Sequence, residues 1–67
     1  MNVTVNGEAR QLPDRATVAD LVTTFGGDAG RGSAVAIDGT VVPRGQWSAR
    51  QLRSGDRVEL VRAVQGG

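Results

Sequence analysis

The sequence contains no cysteine, no histidine and no lysine, and these absences exclude several classes of function. Cysteine and histidine supply most ligands of zinc, copper and iron–sulfur sites, so a structural metal is not expected. The usual nucleophile–base pairs of hydrolases cannot be formed without them. A chain of 67 residues is also short for enclosing a substrate pocket. We therefore expect no bound metal or cofactor, and a protein that is not itself an enzyme.

Charge and hydropathy argue against two kinds of partner. All eight basic residues are arginine, they are scattered among seven acidic residues, and the net charge is +1. No basic stripe forms, and only Phe25 and Trp47 could stack on bases, which argues against nucleic acid. No run approaches the roughly 18 apolar residues of a membrane span, and residues 1–5 do not resemble a signal peptide. We expect a cytoplasmic protein that binds no membrane and is a monomer when free.

The chain opens with the pattern of a β-hairpin. Val3 and Val5 alternate with polar residues, which is typical of a half-buried strand. Asn6-Gly7 is the strongest short signal for a two-residue hairpin turn, and a second strand is predicted over residues 8–12.

A helix is predicted over residues 18–25, where apolar side chains recur at i, i+3, i+4 and i+7. Thr17 and Asp20 have the spacing of a capping box, in a variant with aspartate at the third position. Gly26-Gly27 ends the helix. The apolar stripe is interpreted as core packing.

A second hairpin follows the glycine-rich segment at residues 26–33. Val35 and Ile37 alternate with small or polar residues, Asp38-Gly39 supplies the turn, and residues 40–42 form the returning strand. The segment at residues 26–33 is interpreted as a connecting loop. Phosphate-binding loops follow a strand and open a helix, whereas this loop follows a helix.

The last part of the chain predicts one short turn and one strand. Residues 48–51 have capping-box spacing and predict a single helical or 3₁₀ turn, with Trp47 as a lid on the core rather than a ligand-stacking residue. A turn at residues 54–56 leads into a strand over residues 57–62.

This order of elements predicts an α+β roll, in which one main helix packs across a mixed β-sheet. The first and last strands are expected to pair at the centre of the sheet, because both alternate cleanly and neither contains proline. The predicted core consists of thirteen side chains: Val3, Val5, Leu12, Val18, Leu21, Val22, Phe25, Val35, Ile37, Trp47, Leu52, Val58 and Leu60.

The chain ends on Gly66-Gly67, beyond the last strand. Glycine has no side chain to pack, so residues 63–67 are expected to form a flexible tail that reaches about 17 Å when extended. A free α-carboxylate is ionised at neutral pH and is a poor electrophile, so it must be activated, for example by ATP, before it can carry a group. A Gly-Gly terminus suits the narrow channel of an activating enzyme. These observations point to the carboxylate of Gly67 as the reactive group.

The whole chain resembles the ThiS family, the ubiquitin-like β-grasp carriers that bring sulfur to thiamin thiazole biosynthesis. The segments that carry the resemblance are VTVNGE at residues 3–8, AVAIDGTVVPR at residues 34–44, Trp47, GDRVEL at residues 55–60 and AVQGG at residues 63–67. The resemblance implies a β-grasp domain over residues 1–62 and a tail over residues 63–67.

The resemblance also implies a sequence of reactions at Gly67. An E1-like adenylating enzyme would use ATP to form an acyl-adenylate on Gly67, and a cysteine desulfurase relay would supply sulfur to convert it to a thiocarboxylate. Thiazole synthase would then take the sulfur. Both enzymes would thread Ala63, Val64, Gln65 and Gly66 into their sites, and exposed Val61 and Arg62 would contribute to docking.

Three alternatives remain open on the sequence alone. The chain could be a carrier of the molybdopterin synthase small-subunit type, or a ubiquitin-like modifier attached to other proteins through Gly67. A third alternative is an interaction module whose tail is inert. As a modifier the chain could not build lysine-linked chains on itself, because it has no lysine.

Overall fold

A computed structural model describes residues 1–25 and 32–62, with Arg62 described by its backbone only. The elements are β1 (Asn2–Val5), β2 (Glu8–Gln11), α1 (Val18–Phe25), β3 (Ser33–Ile37), β4 (Thr40–Val42), a 3₁₀ helix (Arg44–Gln46) and β5 (Arg57–Arg62). The two predicted hairpins, the helix and the last strand are therefore confirmed in type and order.

The five strands form one mixed sheet in the order β2-β1-β5-β3-β4. β1 and β5 are parallel neighbours, with Thr4 opposite Arg57 and Val5 opposite Val58, while the other neighbouring pairs are antiparallel. The predicted central pairing of the first and last strands is confirmed. No helix among the described residues is long and apolar enough to cross a membrane.

Both hairpin turns have the backbone conformation that their sequences predict. Asn6 and Gly7 have φ values of 52° and 84°, and Asp38 and Gly39 have φ values of 50° and 84°. Positive φ at both central residues matches the twist of the flanking strands, and asparagine, aspartate and glycine tolerate it best. A Cβ atom at Gly7 or Gly39 would meet no heavy atom within 4 Å, so backbone conformation rather than space selects glycine there.

Helix α1 begins with the predicted capping box. The Thr17 N–H donates to Asp20 Oδ2 at 2.9 Å, and the Asp20 N–H donates to Thr17 Oγ1 at 3.1 Å. Val18, Leu21 and Val22 on the apolar face are buried against the sheet. These contacts confirm the interpretation of the stripe as core packing.

The core agrees with the prediction except at its margins. The buried apolar residues are Val3, Val5, Leu12, Ala16, Val18, Leu21, Val22, Val35, Ile37, Val42, Trp47, Leu52 and Val58. Phe25 and Leu60 are only partly buried, which corrects their assignment to the core. Phe25 is the last residue of α1, and the Arg10 guanidinium lies 5.3 Å from its ring centroid. Leu60 extends beyond the last β1 pair, Val5 with Val58, so β1 does not flank it.

The turn predicted at residues 48–51 lies slightly earlier in the chain. A 3₁₀ helix at Arg44–Gln46 follows its N-cap Pro43, and a helical turn continues from it, in which the Arg50 N–H donates to the Gln46 carbonyl at 2.9 Å. The predicted role of Trp47 as a core lid is confirmed, because its side chain is buried and its Nε1–H donates to the Val42 carbonyl at 2.9 Å. The buried carboxylate of Asp56, which was not predicted, accepts a hydrogen bond from the Arg53 N–H at 2.8 Å.

We expect Leu21→Ala to lower the free energy of unfolding by about 3 kcal/mol, because Leu21 is fully buried and the substitution leaves a cavity. Thr23→Ala, at an exposed position of the same helix, should change it by less than about 0.5 kcal/mol. Urea unfolding of both variants measures the difference. Equal effects of the two substitutions would contradict this packing of α1.

Candidate functional site

The predicted reactive end of the chain follows strand β5 directly. Gly67, Gly66 and the predicted threaded residues 63–65 lie outside the described residues, as do residues 26–31 of the predicted loop. Val61 and Arg62, the predicted docking residues, are the last two residues of β5. The structure therefore describes the strand from which the tail continues.

Strand β5 is held on both sides, but over different lengths. On one side it pairs with β3 from Ile37 opposite Val58 to Ser33 opposite Arg62. On the other side the pairing with β1 ends at Val58. Because β3 reaches as far as Arg62, the point at which the tail begins has a defined place at the edge of the folded domain.

The outer face of the sheet, opposite α1, carries an apolar strip beside β5. Val61 is 59% exposed and lies opposite Ala34, while Ala36 lies opposite Val41, which is 67% exposed. We call Val41, Ala36, Ala34 and Val61 the outer apolar strip. Exposed apolar residues that cluster on one face are typical of contact surfaces, whereas single ones are common everywhere.

The exposure of Val61 agrees with its predicted place on a docking surface, whereas the exposed position of Val41 was not predicted. The signal was present in the alternation of β4. Val42 is buried, so its neighbour Val41 must point to the opposite face of the sheet.

An open depression with both polar and apolar lining groups lies at the other end of β5, between the two hairpin turns. Its lining residues are Thr4, Asn6, Gly7, Asp38, Gly39, Arg57, Val58 and Glu59. The five residue steps of β5 separate this end from Arg62 by roughly 16 Å. In the described part of the chain, no group of three or more acidic residues is placed to hold a metal ion. The depression offers hydrogen-bonding groups but no nucleophile–base pair.

Comparisons with a family model and with a known protein both find a likeness to ThiS over nearly the whole chain. The family model described as the ThiS family matches residues 3–67. The protein is 31% identical over 67 residues to the sulfur carrier protein ThiS of Escherichia coli (strain K12), and the match covers 100% of both chains.

Two solved structures from Geobacter metallireducens are similar in both sequence and fold. The crystal structure of its thiamine biosynthesis protein (ThiS) has a TM-score of 0.80 and 28% identity, and covers 100% of each chain. The solution structure of a thiamine biosynthesis protein from the same organism has a TM-score of 0.79 and 28% identity, and covers 100% of this chain and 88% of that one. These likenesses confirm the predicted β-grasp fold. Because the family model also extends to the final glycine, the chain belongs to the ThiS family.

Proposed function

We propose that this protein carries sulfur to thiamin thiazole biosynthesis as a thiocarboxylate on Gly67. The observation that supports this most is the reach of the family match, which continues through Gly66 to Gly67. The Escherichia coli relative, which is named a sulfur carrier protein, is aligned over its full length. As a member of the ThiS family the chain is a carrier, used as a protein cosubstrate, and not a catalyst.

The first reaction activates the terminal carboxylate. A carboxylate oxygen of Gly67 attacks the α-phosphorus of ATP and expels pyrophosphate, which leaves an acyl-adenylate. This step is needed because the ionised carboxylate is a poor electrophile, whereas AMP is a good leaving group. The ATP is bound and consumed by an E1-like adenylating enzyme, so the carrier itself holds no cofactor.

The second reaction loads the sulfur. A sulfur nucleophile attacks the carbonyl carbon of the acyl-adenylate and expels AMP. If the donor is a persulfide from a cysteine desulfurase relay, the product is an acyl disulfide. A thiol must then reduce its S–S bond to free the thiocarboxylate. Thiazole synthase is the proposed acceptor of this sulfur.

The tail and strand β5 have different roles in the proposed function. Residues 63–67 provide reach and a terminus without side chains at its last two positions, which fits a narrow active-site channel. The pairing of β5 with β3 as far as Arg62 supports a fixed starting point for this tail. A fixed start reduces the conformational freedom that the tail must lose when it binds.

The outer apolar strip is the proposed docking surface for both enzymes. It lies on the sheet face beside β5, so a partner that covers it also stands next to the start of the tail. Val61 is at the end of the strip nearest the tail, which supports its placement in the contact. Arg62 is the next residue of β5 and stays a predicted docking residue.

Deletion of Gly67 is expected to reduce ATP–pyrophosphate exchange by the host's adenylating enzyme by at least about 100-fold. The new terminal carboxylate at Gly66 would fall about 3.5 Å short of the reacting position, and misplacement by even 1 Å can cost that much. Gly67→Ala keeps the length and tests the width of the channel. Full exchange with the deletion variant would exclude Gly67 as the modified residue. Gly67 found joined to other proteins, with no terminal sulfur, would indicate a modifier instead.

Val61→Asp should raise the KM for the carrier in the same exchange assay by about tenfold, because it places a charge in a desolvated contact. The kcat should change by less than about twofold. Ala9→Asp is the matched control, since Ala9 is exposed on the same sheet face but in the edge strand β2, opposite Thr4. Equal changes in KM for the two variants would contradict docking at the strip.

A further inference from the structure

The side chain of Asn6 is bound to the backbone of β5 near the start of the tail. Leu60 N–H donates to Asn6 Oδ1 at 2.9 Å, and Asn6 Nδ2 donates to the Leu60 carbonyl at 3.2 Å. The two polar ends of the carboxamide therefore meet the two backbone polar groups of one residue. We call this pair of hydrogen bonds the Asn6 clamp.

The clamp continues the β1–β5 ladder beyond the end of β1. The Thr4 N–H donates to the Asp56 carbonyl at 3.0 Å, and the Asn6 N–H donates to the Val58 carbonyl at 2.9 Å. The next acceptor in this series of alternate residues is the Leu60 carbonyl. The β1 backbone turns away at Asn6-Gly7, and the Asn6 carboxamide occupies the place of the missing backbone rung.

The second hairpin turn explains why this position holds asparagine rather than aspartate. Asp38 has nearly the same φ as Asn6, and its Oδ1 accepts a hydrogen bond from the Arg57 N–H at 3.2 Å. The Arg57 carbonyl is satisfied by the Asp38 backbone N–H at 2.9 Å, so the side chain needs only an acceptor. The side chain that binds the Leu60 backbone must both accept and donate a hydrogen bond. The carboxamide of asparagine can do both, whereas an ionised carboxylate can only accept.

The two turns hold β5 at opposite ends. Asp38 binds its first residue, Arg57, whereas Asn6 binds Leu60, two residues before Arg62. Beyond Val58, β3 supplies the backbone pairing on one side of β5 and the Asn6 clamp holds the other side.

We propose that Asn6 is a positioning residue, whose clamp on Leu60 acts together with the β3 pairing to set the direction in which the chain leaves the domain after β5. This inference rests on the proposed function of Gly67. It assigns Asn6 no contact with ATP or with sulfur. Its effect is to increase the fraction of docked carriers whose terminal carboxylate reaches the activating enzyme's site, which acts on kcat rather than on docking.

The test compares Asn6→Gly with Asp38→Gly. Glycine keeps the positive φ of each turn and removes only the side-chain hydrogen bonds, so both variants should fold. In urea unfolding Asn6→Gly should lose more stability than Asp38→Gly, because it removes two hydrogen bonds rather than one. With the host's adenylating enzyme, Asn6→Gly should lower kcat for ATP–pyrophosphate exchange by about five- to tenfold, and KM should change by less than about twofold. Asp38→Gly should leave both constants within about twofold of the unsubstituted chain.

A second readout needs no partner. In the free protein, Asn6→Gly should speed hydrogen exchange at the Leu60 amide by about tenfold, since that amide loses its acceptor. Asn6→Asp, which keeps an acceptor for this amide but turns an oxygen toward the Leu60 carbonyl, should lower kcat as well.

Three results would overturn the proposal. Equal losses of kcat in Asn6→Gly and Asp38→Gly would show a general effect on the fold. Unchanged exchange at the Leu60 amide in Asn6→Gly would show that no clamp exists in solution. Failure of the unsubstituted chain to support ATP–pyrophosphate exchange would refute the proposed function and the positioning role together. Hydrogen exchange at the Leu60 amide would still show separately whether the clamp exists.

Discussion

The parallel pairing of β1 with β5 is the constraint on which the rest of the fold depends. It places the first and last strands side by side at the centre of the sheet. Parallel neighbours require a long crossover connection, and α1 lies within that connection and covers the face that Val3, Val5 and Val58 present. The two hairpins then extend the sheet outward on either side. A 67-residue chain without disulfides has little stability to spare, so a fold whose two ends close the core is an economical solution.

The same pairing shapes the function. The strand at the centre of the sheet is also the strand that leads to the C-terminal tail, so a strand paired on both sides is followed by a segment that ends on two glycines. Val61 and Val41 face outward on the opposite side from α1, where a partner can cover them without disturbing the core. The proposed function uses both properties, because it assigns the outer face to partner recognition and the terminus to the chemistry.

Local patterns in the sequence predict most of this architecture. Asn6-Gly7 and Asp38-Gly39 specify their turns through backbone conformation alone, and the helix is specified by its stripe and its capping box. The error at Leu60 comes from contacts between distant residues, whereas the shift of the turn predicted at residues 48–51 is local. The partial burial of Leu60 depends on where β1 ends, and the clamp on Leu60 joins positions 54 residues apart. At the candidate site, the exposure of Val61 was predicted from the sequence. The exposure of Val41 could also have been predicted from the alternation of β4. The role of Gly67 stays a prediction from the terminal sequence and the family.

Whether Gly67 carries sulfur is tested by the mass of the C-terminal peptide after loading. The chain is incubated with ATP, cysteine and an extract of its host, and trypsin cleavage after Arg62 then releases residues 63–67. If the protein carries sulfur on Gly67, the peptide should show a mass shift equal to the replacement of one oxygen by one sulfur, located at Gly67 and dependent on both ATP and cysteine. An unmodified peptide, from an extract that loads the Escherichia coli carrier under the same conditions, would contradict this role of Gly67.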